Sequence, residues 1–137
     1  LGSAVAYNLA KRGIKILALE KFSLNHKNGS SHGLTRMIRL AYSEHPSYVP
    51  PVKKAYELWF TLQKECGKEI IKITGGVTFG YQNGELISGV IKSAKEHDLE
   101  YYILSSKESH ERYNIFRLLE DEVCLFEPTV GIVYPER

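Results

Sequence analysis

The chain has 137 residues, of which 43% are hydrophobic and 25% charged, and that describes one ordinary globular domain. A net charge of +2 carries no electrostatic commitment to nucleic acid or to a membrane surface, and no apolar run approaches the ~20 residues needed to span a bilayer. Two cysteines and five scattered histidines make neither a disulfide framework nor a metal site.

The chain opens in what reads as the middle of a motif. Gly2 fits the third glycine of a G-x-G-x-x-G dinucleotide fingerprint, the one that lets a helix pack closely on a sheet. The first two glycines and their strand are expected upstream of Leu1, so the chain is expected to be an N-terminal fragment. Ser3, Ala4 and Ala6 are small enough for a helix to approach a sheet. Lys11, Arg12 and Gly13 suit its C-terminal end. Ile14 to Leu19 is nearly continuously apolar and ends at Glu20, which predicts a strand buried on both faces. Glu20 stands near the spacing, about 20 residues, at which an acid accepts hydrogen bonds from a ribose and repels a 2′-phosphate.

Residues 21–33 read as a polar loop, and Thr35 to Tyr42 suits either helix or strand. Pro46, Pro50 and Pro51 lead into a helix whose predicted apolar stripe is Ala55, Leu58, Trp59, Leu62 and Cys66, ended by Gly67. Glu69 to Tyr81 reads as a strand with a bend or bulge at Gly75-Gly76. A turn at Asn83-Gly84 precedes an amphipathic helix carrying Leu86, Ile87, Val90, Ile91 and Ala94. Tyr101 to Leu104 is a short strand, and Ser105 with Glu108 forms a capping box for a further helix. Val123–Phe126 and Gly131–Tyr134 read as strands around the turn Glu127-Pro128-Thr129. Both cysteines are expected to be reduced packing residues.

The segment Gly29-Ser30-Ser31-His32-Gly33-Leu34-Thr35-Arg36-Met37-Ile38-Arg39 concentrates the chemistry. Two glycines permit close backbone approach, Ser30, Ser31 and Thr35 offer hydroxyls, and His32, Arg36 and Arg39 offer donor or cationic groups. A flavin asks for flexible backbone, polar partners and nearby positive charge. Singly, each of these residues suits an ordinary surface loop.

Together, the segment resembles the loop G-S-S-H-G-x-T-R-x-I-R of the sarcosine oxidase group of FAD-dependent amine oxidases, which includes N-methyltryptophan and L-pipecolate oxidases. Glu20-Lys21-Phe22, Tyr56-Glu57-Leu58-Trp59, Thr74-Gly75-Gly76 and Phe126-Glu127-Pro128 match further motifs of that group. The resemblance covers the whole chain but only about the N-terminal third of a member. It implies an α/β fold: a partial FAD-binding Rossmann-like domain lacking its first strand, over residues 1–45, and the start of a mixed-sheet substrate domain interleaved with it over 46–137.

The resemblance also implies roles. Gly2 and Ser3 would lie by the FAD pyrophosphate and Glu20 on the adenosine ribose. Ser30, Ser31, Thr35 and Arg36 would line the flavin ring, with His32 beside it. Arg36 and His32 are the catalytic candidates, and Arg39 is the candidate for the substrate carboxylate. The implied reaction oxidises a secondary, sarcosine-like amino acid to an imine and reduces O2 to hydrogen peroxide. The implied partners are a small amine and O2, with no nucleic acid or membrane. The full-length protein is expected to be monomeric and cytoplasmic, or peroxisomal if a C-terminal address lies outside this chain. The oxygen-activating lysine and the flavin-linking cysteine of the group fall outside the chain, and Cys66 and Cys124 are in the wrong regions for that link. Residues 1–137 alone are therefore expected neither to hold FAD tightly nor to catalyse. The competing expectations are an NAD-binding α/β module and a non-catalytic remnant.

Overall fold

The structure is a computed structural model that describes residues 2–23 and 26–137. Leu1, expected at the head of the first helix, and Leu24 and Asn25, expected in the polar loop, lie outside the described residues. The fold is mixed α/β and divides into two compact units, one ending at His32 and one running from Gly33 to Arg137.

Among its described residues the first unit holds one helix, α1 (Gly2–Lys11), with Lys11 in its last turn. Gly13 follows in the left-handed conformation, φ +73°. Its N–H reaches the Ala10 carbonyl, and that of Ile14 reaches Leu9, as a helix C-cap requires. The strand expected over Ile14 to Leu19 is not formed. The segment pairs with no other strand among the described residues, and Leu17 and Leu19 are 85% and 89% exposed. A buried parallel strand needs ladder partners and a covering layer. The described part of this unit has neither, so an apolar sequence alone does not make the strand.

The second unit carries two three-stranded antiparallel sheets. Strand β1 (Arg36–Ile38) resolves the ambiguity of residues 35–42 in favour of strand. It pairs with β6 (Gly131–Val133), which also pairs with β2 (Ile71–Ile73). In the other sheet β5 (Glu122–Glu127) lies between β3 (Gly76–Tyr81) and β4 (Tyr102–Ser105). The expected single strand over Glu69 to Tyr81 is thus two strands in two sheets. Gly75, at φ +68°, makes the crossing between them, in a conformation that a residue with a Cβ adopts only under strain.

Helix α2 (Val49–Cys66) follows a 3-10 turn, Pro46–Tyr48. Pro50 and Pro51 stand in its first turn, where their missing N–H groups cost no intrahelical bond. Gly67 ends it at φ +65°. The buried face differs from the expected stripe. It runs through Val49, Val52, Tyr56 and Trp59 at helical spacing, while Leu58 is 49% exposed and Cys66 faces solvent. Gln63 completes that face: its Oε1 accepts the N–H groups of Ile70 (2.8 Å) and Ile71 (3.0 Å), joining the helix end to β2.

Helix α3 (Glu85–Glu96) buries Ile87, Val90, Ser93 and Ala94. The capping box at α4 (Ser106–Arg112) is formed as expected, with Ser105 Oγ accepting the Glu108 N–H and Glu108 accepting that of Ser105. Two apolar clusters result. One joins α3 to the β3–β5–β4 sheet through Ala41, Ile87, Val90, Ala94, Val123 and Leu125. The other joins α2 to the β1–β6–β2 sheet through Leu40, Tyr56, Ile71 and Val133. Adjacent residues, Leu40 and Ala41, therefore enter different clusters, which pins the segment leaving β1 from both sides.

Candidate functional site

In the first unit, Gly2 and Ser3 are exposed at the N-terminal end of α1, whose first turn carries no acidic residue. The helix dipole is thus uncompensated there, and no heavy atom would stand within 4 Å of a Cβ at Gly2. Glu20 is half-exposed and locally ordered. Its Oε1 accepts the Phe22 N–H at 3.0 Å and lies 3.4 Å from His26 Nε2. His26 Nδ1 accepts the Asn28 N–H, which leaves the ring proton on Nε2 facing Glu20. The backbone hydrogen bond from Phe22, with His26 adding to it, holds the Glu20 carboxyl below its ordinary range. An ionised acceptor therefore stands where a ribose-binding acid was expected.

Ser30, Ser31 and His32 lie exposed in the turns that close this unit. His32 Nδ1 donates to the Gly29 carbonyl at 2.5 Å. A carbonyl only accepts, so this bond fixes the proton on Nδ1.

In the second unit, Gly33 has φ +124°, and a Cβ there would lie 2.9 Å from the Arg36 guanidinium. Its N–H donates to Glu136 at 2.8 Å. Arg36 begins β1, and its Nη1 donates to the Thr35 carbonyl at 2.9 Å. Thr35 and Arg36 are exposed. Arg39 is half-buried, with its guanidinium 4.9 Å from the centre of the Tyr42 ring, a cation–π distance. The structure thus groups Thr35 and Arg36 around Gly33, and separately sets Arg39 against Tyr42.

Sequence reasoning gave no role to Glu127. It is 2% exposed at the end of β5, across from Gly76 of β3. Burial raises its pKa, against the lowering effects of the Ala41 backbone and the Arg39 charge. Tyr56, whose hydroxyl donates to the Thr129 carbonyl at 2.9 Å, is pushed up by burial and by the Glu127 charge. The only signal in the sequence was a charged residue set between Phe126 and Pro128, directly after an apolar strand.

The residues present fit an FAD by the chemistry of their donor set: an acid-free helix N-terminus for phosphate, an ionised carboxylate for ribose, and hydroxyls and guanidinium groups for the ring. The described residues contain no cluster of histidine, cysteine, aspartate or glutamate able to hold a metal ion.

Residues 1–137 match the FAD dependent oxidoreductase family. The chain belongs to that family. Monomeric sarcosine oxidase of Streptomyces avermitilis is 39% identical over 99% of the chain, which covers 35% of that protein. A monomeric sarcosine oxidase from a Bacillus species is 38% identical over 99% of the chain. N-methyl-L-tryptophan oxidase of Yersinia pestis is 32% identical over 99% of the chain, which covers 37% of that protein. The chain therefore spans about a third of the length of these family members. Among solved structures, NikD, an unusual amino acid oxidase essential for nikkomycin biosynthesis, aligns with 96% of the chain at a TM-score of 0.82 and 24% identity, a likeness of fold. L-proline dehydrogenase from P. horikoshii aligns with 96% at a TM-score of 0.74 and 25% identity. The family match excludes the expectation of an NAD-binding module. No helix among the described residues is long and apolar enough to cross a membrane.

Proposed function

We propose that this chain forms the FAD-binding region and part of the substrate pocket of an oxidase acting on a secondary, sarcosine-like amino acid. The observation that carries the proposal is the contiguous run Gly29 to Arg39 within a chain 39% identical, over nearly its whole length, to a monomeric sarcosine oxidase. In this reading residues 1–45 belong to the FAD-binding part, and 46–137 interleave it with the substrate domain.

Gly2 and Ser3 present the α1 N-terminus to the pyrophosphate, and Glu20 accepts from the ribose hydroxyls. Ser30, Ser31 and Thr35 line the ring, and Arg36 supplies positive charge beside it. His32, with Nδ1 tied to Gly29, lies beside the ring in this reading. Arg39 takes the substrate carboxylate, for which a planar guanidinium is well shaped.

FAD supplies the two-electron acceptor when bound. The substrate loses the N–H proton and the adjacent C–H hydrogen with its electron pair, giving an imine. O2 takes up the two electrons and two protons as hydrogen peroxide, so atoms and electrons balance. Reaction requires the neutral amine, whose nitrogen lone pair assists departure of the C–H hydrogen. Arg39 orients that nitrogen through the carboxylate. The protein is proposed to act as a monomer in the cytoplasm or peroxisome.

The test is aerobic turnover of the protein expressed from its full reading frame, with sarcosine and L-pipecolate offered separately and peroxide measured. Peroxide release with either names the substrate class. A flavin-loaded protein that releases peroxide with neither refutes the proposed reaction.

A further inference from the structure

The turn that carries Arg36 is closed by a residue that none of the family motifs above includes. Strands β1 and β6 pair antiparallel with Arg36 opposite Val133. That register, carried on past the strand ends, sets Gly33 opposite Glu136. The backbone ladder does not reach so far. The Tyr134 N–H goes instead to the Ile70 carbonyl at 2.9 Å, and Pro135 has no N–H to give. Glu136 bridges the gap with its side chain, whose Oε1 accepts the Gly33 N–H at 2.8 Å.

The fold sets both ends of that bond. The Glu136 backbone lies in a turn in which the Arg137 N–H reaches the Tyr134 carbonyl at 3.3 Å. The Arg137 guanidinium stacks on the Tyr134 ring, 3.8 Å from its centre. Its Nη1 donates to the Glu69 carbonyl at 3.1 Å and to the Glu69 carboxylate at 3.2 Å, just before β2. At the other end, Gly33 is half-buried at φ +124°, a backbone conformation that side chains rarely adopt. The Arg36 guanidinium lies against it: a Cβ on Gly33 would stand 2.9 Å from Nη1 and 3.3 Å from Nη2. Nη1 also donates to the Thr35 carbonyl at 2.9 Å. The guanidinium thus rests on the backbone of its own turn, and Glu136 ties that turn to the chain leaving β6.

We propose that Glu136 is a positioning residue for Arg36: by accepting the Gly33 N–H it fixes the turn on which the guanidinium rests and so holds that positive charge beside the flavin ring. This rests on the reading of Arg36 as the flavin-side cation. The contribution is geometric. A carboxylate near the ring opposes negative charge there, so the Glu136 charge works against the effect of Arg36. A glutamine in its place keeps an acceptor oxygen for Gly33 and drops the charge. An alanine drops both. Comparing those two variants isolates the hydrogen bond at constant charge.

The experiment is titration of the flavin-loaded, full-frame protein with sulfite, followed by loss of the flavin's visible absorption. Sulfite adds through its sulfur lone pair to the oxidised ring and leaves the ring anionic. Its affinity therefore reads the positive charge beside the ring and needs no turnover. Glu136→Ala is expected to bind sulfite about tenfold more weakly than Glu136→Gln, the worth of one positioning hydrogen bond. If the alanine variant holds no flavin, Glu136→Asp takes its place. It keeps the charge, is one methylene too short to reach Gly33, and is expected to bind sulfite about tenfold more weakly than wild type. Affinities within twofold in the comparison made overturn the inference. So does an alanine variant that loses flavin while its loaded fraction binds sulfite as the glutamine variant does, since that marks a merely structural role. Arg36→Met tests the reading beneath: it is expected to weaken sulfite at least tenfold. Sulfite bound by that variant as tightly as by wild type overturns the flavin-side reading of Arg36, and this inference with it. A weakened Arg36→Met beside matching glutamine and alanine variants overturns this inference alone.

Discussion

Replacing Gly89 with alanine sets two physical effects against each other with opposite signs. Gly89 lies inside α3, where alanine is favoured over glycine by about 1 kcal/mol on helix propensity alone. A Cβ at this position, however, would stand 2.2 Å from the Ser43 carbonyl oxygen and 2.9 Å from two further Ser43 backbone atoms. An ordinary carbon–oxygen contact is about 3.3 Å, so α3 and the Ser43 backbone must part by about 1 Å. Backbone gives way less readily than a side chain, and overpacking of this kind costs about 1–3 kcal/mol. The same movement pulls Ser93 from the Tyr42 carbonyl, a further ~1 kcal/mol. The net expectation is a loss of about 1–3 kcal/mol, or roughly 1 M lower urea midpoint for an m-value near 2 kcal/mol/M. Urea denaturation followed by fluorescence of Trp59, the single tryptophan of the chain, measures it. Ser88→Ala, on the exposed side of the same helix, is the control and should cost nothing. A Gly89→Ala protein as stable as wild type, or more so, would refute the packing argument.

Gln63→Leu leaves the Ile70 and Ile71 N–H groups without their acceptor. A loss of about 2–4 kcal/mol is expected, with faster amide exchange at those two positions; unchanged exchange there would show that the contact is dispensable. Thiol titration of the native protein should find Cys66 reactive and Cys124 silent, because Cys124 is buried and burial raises its thiol pKa. Equal reactivity of the two without denaturant would contradict the placement of β5. Burial likewise raises the Glu127 carboxyl above its unfolded value, with Arg39 and Tyr56 as the charged or titratable groups around it. The native state then binds more protons than the unfolded chain. The Glu127 contribution to stability is therefore full below the unfolded pKa and falls as pH rises through the native one. Glu127→Gln should flatten that part of the stability–pH curve, and an identical curve would contradict the assignment.

Local signals read correctly wherever the structure is decided locally. The Ser105–Glu108 capping box, the Gly13 and Gly67 caps and the proline-led start of α2 all depend on residues a few positions apart. Pairing is not local, and there the reading fell short. Gly75-Gly76 was legible as a bend, but nothing nearby says that β2 and β3 pair with different strands, β6 and β5. The apolar run Ile14 to Leu19 reports a capacity for burial, whereas a strand also needs a ladder partner. On α2, several registers of apolar residues compete, and the buried Tyr56 and half-buried Gln63, the polar members of the true face, count against it in an apolar pattern. The candidate site shows the same division. The Gly29 to Arg39 run is a contiguous signal, whereas the burial of Glu127 follows only from the pairing of β5 with the distant β3.

The most direct test of the account is anaerobic addition of sarcosine to the flavin-loaded protein expressed from its full reading frame. Loss of the flavin's visible absorption on mixing, restored by air with release of peroxide, is the predicted result. A flavin that keeps its oxidised spectrum in the presence of sarcosine, L-pipecolate and N-methyl-L-tryptophan alike would contradict it.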